Sequence, residues 1–190
     1  MKRIIALVGL AFLLAGCQSI PPLNFSVPDV GISEQKLDAE LRSMTVTLAR
    51  PDEKKGDLPL GSEGITQLWQ TALQEALDRM VVFRDDADRK VNLQVKVLAV
   101  DIPSFGASFT TKTIARYEII DRQDGSIIYS QEIAADGTTP MDFAFMGIAR
   151  ARESINRSVQ NNIATFLNDM QTIDITKPMF PAQAPSQVSQ

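Results

Sequence analysis

An α+β sandwich in the order β-α-β-β-β-α, a mixed sheet with two helices packed on one face, is predicted by three observations. Apolar and polar residues alternate in four separate stretches. In two others the apolar positions recur at three- and four-residue steps, the period of a half-buried helix. The first helical stretch also separates two strand-like ones, and a helical crossover of that kind joins parallel neighbours.

Met44, Val46 and Leu48 alternate with threonines and predict a first strand over 44–50. Residues 51–61 are charged and contain Pro51, Gly56, Pro59 and Gly61, which marks a loop. Ile65, Leu68, Trp69, Ala72, Ala76 and Met80 form the apolar stripe of a helix, with Trp69 read as a core residue. Ser62 is its candidate N-cap, without the reciprocal Glu or Gln of a capping box. Val91, Leu93, Val95, Val97 and Ala99 give the clearest period of two in the chain. Phe109, Thr111, Thr113, Ala115, Tyr117 and Ile119 follow as another strand. The Asp124-Gly125 turn leads to the last, at Ile127, Tyr129, Gln131 and Ile133. A second helix is expected from Thr139 as cap and Pro140 at its first position, with Asp142 near its positive end. Its stripe runs through Met146, Ala149, Ile155, Val159, Ile163, Phe166 and Met170.

The ends of the chain carry a different signal. Lys2 and Arg3 precede an apolar run from Ile4 to Leu14, too short to span a bilayer and suited to an export signal. Leu14-Ala15-Gly16-Cys17 then resembles a bacterial lipobox. The resemblance implies cleavage before Cys17, diacylglycerol and palmitate chains on that cysteine, and attachment to a membrane outside the cytoplasm. Gln18 stands where Asp would signal retention in the inner membrane, so the resemblance implies the outer membrane, periplasmic face. The expected organisation is a signal peptide over 1–16, a lipidated cysteine with a proline-containing tether over 17–40, one domain over 41–172, and a disordered Pro/Gln-rich tail over 173–190. Pro21, Pro22, Pro28 and Gly31 mark the tether, with a reach of roughly 40 Å if extended. Pro178, Pro181 and Pro185 mark the tail.

The four strand directions bring three connections, 51–61, 102–108 and 137–146, to one end of the sheet, here the upper end. Tether and tail are expected to leave from the lower end, which would point the upper end away from the membrane.

The body resembles several small outer-membrane lipoproteins: the YajG-like group, the auxiliary lipoproteins of ABC-type lipid transport and, more distantly, the lipopolysaccharide-assembly lipoprotein LptE. The matching parts are residues 68–80 before a loop, Val91-Asn92-Leu93-Gln94-Val95, the strand pair around Tyr117 and Tyr129, and the closing helix through 164–170. The chain departs from the lipopolysaccharide-assembly type in its acidity and in lacking a second cysteine or a basic patch. The resemblance implies an accessory or assembly lipoprotein that binds an envelope partner, or a lipid-binding auxiliary of an ABC-type envelope transporter.

Composition narrows the function classes. The 190 residues include 19 basic and 23 acidic groups, and loss of Lys2 and Arg3 with the leader takes the net charge from −4 to −6. Such a chain repels phosphate backbones, which argues against a nucleic-acid partner, and gains little from an anionic membrane, leaving attachment to the acyl chains. There is no histidine, so Ser-His-Asp and Cys-His catalysis are excluded and the commonest zinc and haem sites lose their ligands. Cys17 is the single cysteine, so no intrachain disulfide can form. The acidic run Asp85-Asp86-Ala87-Asp88 lacks the loop spacing, glycine and closing Glu of a calcium hand and reads as a solvated turn. No hexapeptide repeat of an acyltransferase is visible, and a carboxylate such as Asp142 is all an enzymatic reading retains. The sequence therefore points to no catalytic residue, no metal and no cofactor.

The apolar connections remain as the candidate partner- or lipid-binding site: Phe105 within 102–108, and Phe143, Phe145 and Met146, with Met141, ahead of the last helix. Two readings are open. These side chains form a soft surface for a lipid chain or partner, or Phe105 and Phe143 fold inward and close the core, the commoner fate of clustered Phe and Met. Arg150, Glu153 and Arg157 share a helical face that reads as a solubilising ion-pair set, with a partner-binding face as the alternative; Lys54-Lys55 in the first loop is less specific still.

Overall fold

The computed structural model describes residues 20–59 and 61–182 of the chain. Four strands, β1 (Glu40–Leu48), β2 (Lys90–Asp101), β3 (Phe109–Asp121) and β4 (Ile127–Thr139), form one sheet in the order β1-β2-β3-β4. Helix α1 (Glu63–Met80) follows β1, and α2 (Gly147–Met170) closes the chain order after a 3₁₀ turn over Met141–Phe143. β1 and β2 are parallel, and β2–β3 and β3–β4 are antiparallel. The fold is the expected α+β arrangement, a mixed sheet with two helices.

Strand alternation decides which sheet face the helices cover. Val46, Val95 and Tyr117 stand side by side in register, all buried, and Leu93 and Ile119 repeat the pattern one step lower. Removing these β-branched and aromatic side chains from water on one face is the main drive for docking α1 over β1 and α2 over β3 and β4. A polar chain crosses this interior. Trp69 Nε1 donates to the Tyr117 hydroxyl at 3.2 Å, Tyr117 donates to Asn162 Oδ1 at 3.0 Å, and Asn162 Nδ2 donates to the Ile133 carbonyl at 2.9 Å. Each polar side chain of this row thereby keeps a partner. Tyr117 also stacks on Phe166 with ring centroids 4.3 Å apart, and its burial pushes the phenol pKa far above the usual value. At Gly137 α2 comes so close to β4 that a Cβ would fall into the backbone of Ser154, Arg157 and Ser158.

The opposite sheet face is charged. Lys55 and Arg116 both bond Glu132, and Lys96 bonds Glu53 at 2.6 Å. The Lys55 bond, then that of Arg116, holds the Glu132 carboxyl below the ordinary carboxylate range. The loop after β1 takes part in this face: Lys55 N donates to the Leu98 carbonyl and Val100 N to that of Asp57. Residues 51–59 therefore lie against the last residues of β2, Leu98 to Asp101, at the upper end where strand direction placed them.

Three expectations change. Ser62 has helical backbone angles and donates its hydroxyl to the Pro59 carbonyl, so it stabilises the preceding turn rather than capping α1. Thr139 is still strand: β4 pairs with β3 up to Phe109↔Thr139, Pro140 precedes only a 3₁₀ turn, and α2 starts at Gly147 with Met146 at the N-cap. The segments outside 41–172 are also not free where they are described. Ile173 and Ile175 are buried, and Phe180 bridges to Ile127.

The largest change concerns the tether. Phe25, Val27, Leu37 and Ala39 are core residues, and Phe25 meets Trp69 edge-to-face at 6.4 Å. One row of α2 side chains holds the segment's backbone. Gln160 Nε2 donates to the Asn24 carbonyl, Asn156 Oδ1 accepts from Asn24 N and its Nδ2 donates to the Pro22 carbonyl, and Arg152 Nη1 donates to that of Pro21. Going back along the chain thus climbs α2 toward its N-terminus. Going forward, Arg79 donates to the Val27 carbonyl, Ser33 N to that of Met80 and Leu37 N to that of Val82, before β1 begins. The chain enters the fold along the upper half of α2, not from the lower end. The tether is extended, as its prolines require, but it is packed.

Candidate functional site

The surface that stands apart is the upper end. β2 hands over to β3 through 102–108, and β4 to α2 through 140–146; because Phe109 pairs with Thr139, both connections leave adjacent strand ends. In the first, Gly106 has φ +156°, and a Cβ there would stand 2.7 Å from the Ser108 carbonyl oxygen. The turn beside Phe105 therefore requires glycine, and Phe105 projects with 88% of its surface exposed.

The second connection is fixed from beneath by α2. Arg150 Nη1 donates to the Ala144 and Phe145 carbonyls at 2.6 and 3.0 Å, and its guanidinium lies 5.6 Å from the Phe109 ring centre. Arg157 donates to the Thr138 carbonyl at 2.8 Å and to Glu153 at 2.8 Å, with its guanidinium 5.5 Å from the Phe143 ring centre. A planar fork on an aromatic face with bonds to carbonyls is a geometry only arginine offers. With the backbone held, Ala144 points inward, while Phe143 stays 42% and Phe145 94% exposed. Met141 and Ile148 are exposed as well, and Met146 is half-buried.

The reading in which Phe105 and Phe143 close the core is therefore overturned: Phe105 is almost fully exposed, and Phe143 rests on Arg157 at the surface. Arg150, Glu153 and Arg157 are more than a solvated face, since they lock the aromatic connection to the helix. Sequence reasoning missed both roles and also Ile148. Lys54 stays exposed and Lys55 belongs to the charged sheet face. Asp85, Asp86 and Asp88 lie on an exposed turn, where Asp86 pairs with Arg84. No group of three metal-ligating side chains converges among the described residues. Leu14, Ala15, Gly16 and Cys17 lie outside the described residues.

Residues 1–18 match the prokaryotic membrane lipoprotein lipid attachment site. The chain thus carries a lipoprotein attachment sequence, which makes it a lipid-anchored, membrane-associated protein. Among the described residues no helix is long and apolar enough to cross a membrane. A search of curated proteins finds no match. Among solved structures the chain is similar to a Xanthomonas campestris protein of the family DUF330, with 11% identity, 80% of this chain and 95% of that one covered, and a TM-score of 0.49. It is also similar to a minor lipoprotein of Acinetobacter baumannii, with 14% identity, 67% and 91% coverage and a TM-score of 0.40. A third is a lipoprotein of Neisseria meningitidis, with 9% identity, 68% and 98% coverage and a TM-score of 0.36. At these values the likenesses assign this chain to no family.

Proposed function

We propose that this is an accessory lipoprotein of the outer membrane, facing the periplasm, that works by binding an envelope component through its upper end and performs no catalysis. The observation that carries the reading is an apolar cluster kept exposed by design of its surroundings: Arg150 and Arg157 spend their donors holding the connection that displays Phe143 and Phe145. Apolar side chains held rigidly in water are a standing cost unless something covers them. Carriage of a lipid inside the fold is the weaker reading, because the cleft between β1 and α1 is open and edged by Glu40, Arg42, Gln74 and Asp78. The likeness to the YajG-like and transport-auxiliary lipoproteins agrees with an accessory role.

Photoreactive residues replacing Phe105 and Phe143 in the lipidated protein test the proposal in cells. Adducts with an envelope protein or a phospholipid are expected at both positions, above the background at Gln123 in the opposite turn. Background labelling at both, in protein that melts normally, would remove the upper end as a binding surface.

A further inference from the structure

The position of the anchor relative to the apolar end identifies what covers it. Arg152, Asn156 and Gln160 hold Pro21, Pro22 and Asn24 in that order, one helical turn per step. The next position up the same row is Ile148, exposed at the upper end. Arg152 lies five residues into α2, about 8 Å along its axis from the first residue. Cys17 is three residues before Ile20, so its Cα lies within about 11 Å of the Ile20 Cα whatever the path. The lipid attachment point is thus leashed to the upper half of the molecule. The lower turn at Asp124-Gly125 lies beyond the far end of an α2 that is 24 residues, or about 36 Å, long.

We infer that Phe105, Met141, Phe143, Phe145 and Ile148 dock into the headgroup–acyl boundary of the bilayer that carries the lipid on Cys17. The inference rests on the upper end being the binding surface and names its partner, a lipid surface. The protein then stands upper end down on its own membrane, the reverse of what strand direction and a free tether would suggest. A short leash raises the local concentration of that bilayer at the patch far above that of any freely diffusing partner. The side chains suit the place: Phe beside other apolar residues is the kind of face that sinks shallowly into the headgroup–acyl boundary, and such a patch supplies a second attachment beside the acyl chains. Attraction by charge is not needed, which fits a net charge of −6 after processing. Asp142, exposed between Met141 and Phe143, then sits at headgroup depth rather than among acyl chains.

The test uses the full lipidated protein reconstituted in vesicles of phosphatidylethanolamine and phosphatidylglycerol, with no other protein present. Lipidation occupies the Cys17 thiol, so a single introduced cysteine can carry a nitroxide; Phe105→Cys, Phe145→Cys and Gln123→Cys are compared after confirming that each melts like the parent. Collision with oxygen relative to a water-soluble nickel chelate is expected to be severalfold higher at 105 and 145 than at 123. Equal, water-like ratios at all three positions would overturn docking, and so would spin–spin broadening at 105 that signals a second copy. If those ratios are water-like while photoreactive residues at 105 and 143 still capture a protein, binding through the upper end stands and only the membrane is lost as its partner. If they capture nothing, both fall.

Discussion

Phe25 and Phe105 are the same side chain in the same kind of segment, non-periodic and close to proline, yet one is 2% exposed and the other 88%. The difference lies in what each backbone finds nearby. Around Phe25, Asn156 and Gln160 satisfy the chain's amide and carbonyl groups, so the segment can leave water and press its ring against Trp69. Around Phe105 the chain turns tightly at Gly106 between two strand ends, and the ring stays in water. An apolar residue in a connection is buried only where its backbone has partners. The interior and the upper end are therefore two apolar regions under opposite rules, one holding the fold and the other held out by it.

The interior half of the comparison gives the largest effect. Trp69→Ala removes a fully buried ring from between Phe25 and Tyr117 and orphans the Tyr117 hydroxyl as acceptor. Urea unfolding is expected to show a loss of about 4–5 kcal/mol, at the upper end of large-to-small core changes. A loss below about 1 kcal/mol would place Trp69 with the surface residues and dissolve the contrast.

Phe25→Ala should cost less, about 3 kcal/mol, because the segment around it can detach instead of leaving a cavity in a rigid core. The signature is local: amide exchange at Ser33 and Leu37, whose N–H groups bond the Met80 and Val82 carbonyls, should accelerate before the sheet does. A free tether would show neither the cost nor the exchange change. The two substitutions touch one another, so their effects should not add.

The legible part of this molecule is the part with a period. Val91, Leu93, Val95 and Val97 alternate and are all buried, and the predicted stripe marks the inner face of α1 except at Leu68, which is exposed while Leu73 and Leu77 take the inner face. The end of β4 was illegible because it depends on a close approach: Gly137 reads as a turn signal, but here it makes room for α2 inside a strand. The packed path of residues 20–39 was illegible because its partners are side chains more than 130 positions away, Asn156 and Gln160, and an extended chain pressing in an occasional Phe or Val has no period to detect. For the site, strand direction correctly grouped Phe105 with Phe143 and Phe145. Whether they faced in or out was not in the pattern, since connections have no faces. Arg150 and Arg157 decide it, and their contacts with Phe109 and Phe143 exist only once β4 and α2 are in place.

The smallest expected effect completes the contrast. Phe105→Ser and Phe145→Ser take large apolar surface from the upper end, but neither side chain fills space in the folded core. The unfolding free energy of the protein free of membrane should stay within about 0.5 kcal/mol of the parent, as for ordinary surface substitutions. The same substitutions in the lipidated protein should change what the upper end touches, since docking through these rings is what the proposal requires of them. If instead Phe105→Ser destabilised the membrane-free protein by as much as Phe25→Ala, the ring would be a structural member. The division between an apolar interior and an apolar docking end would then not hold.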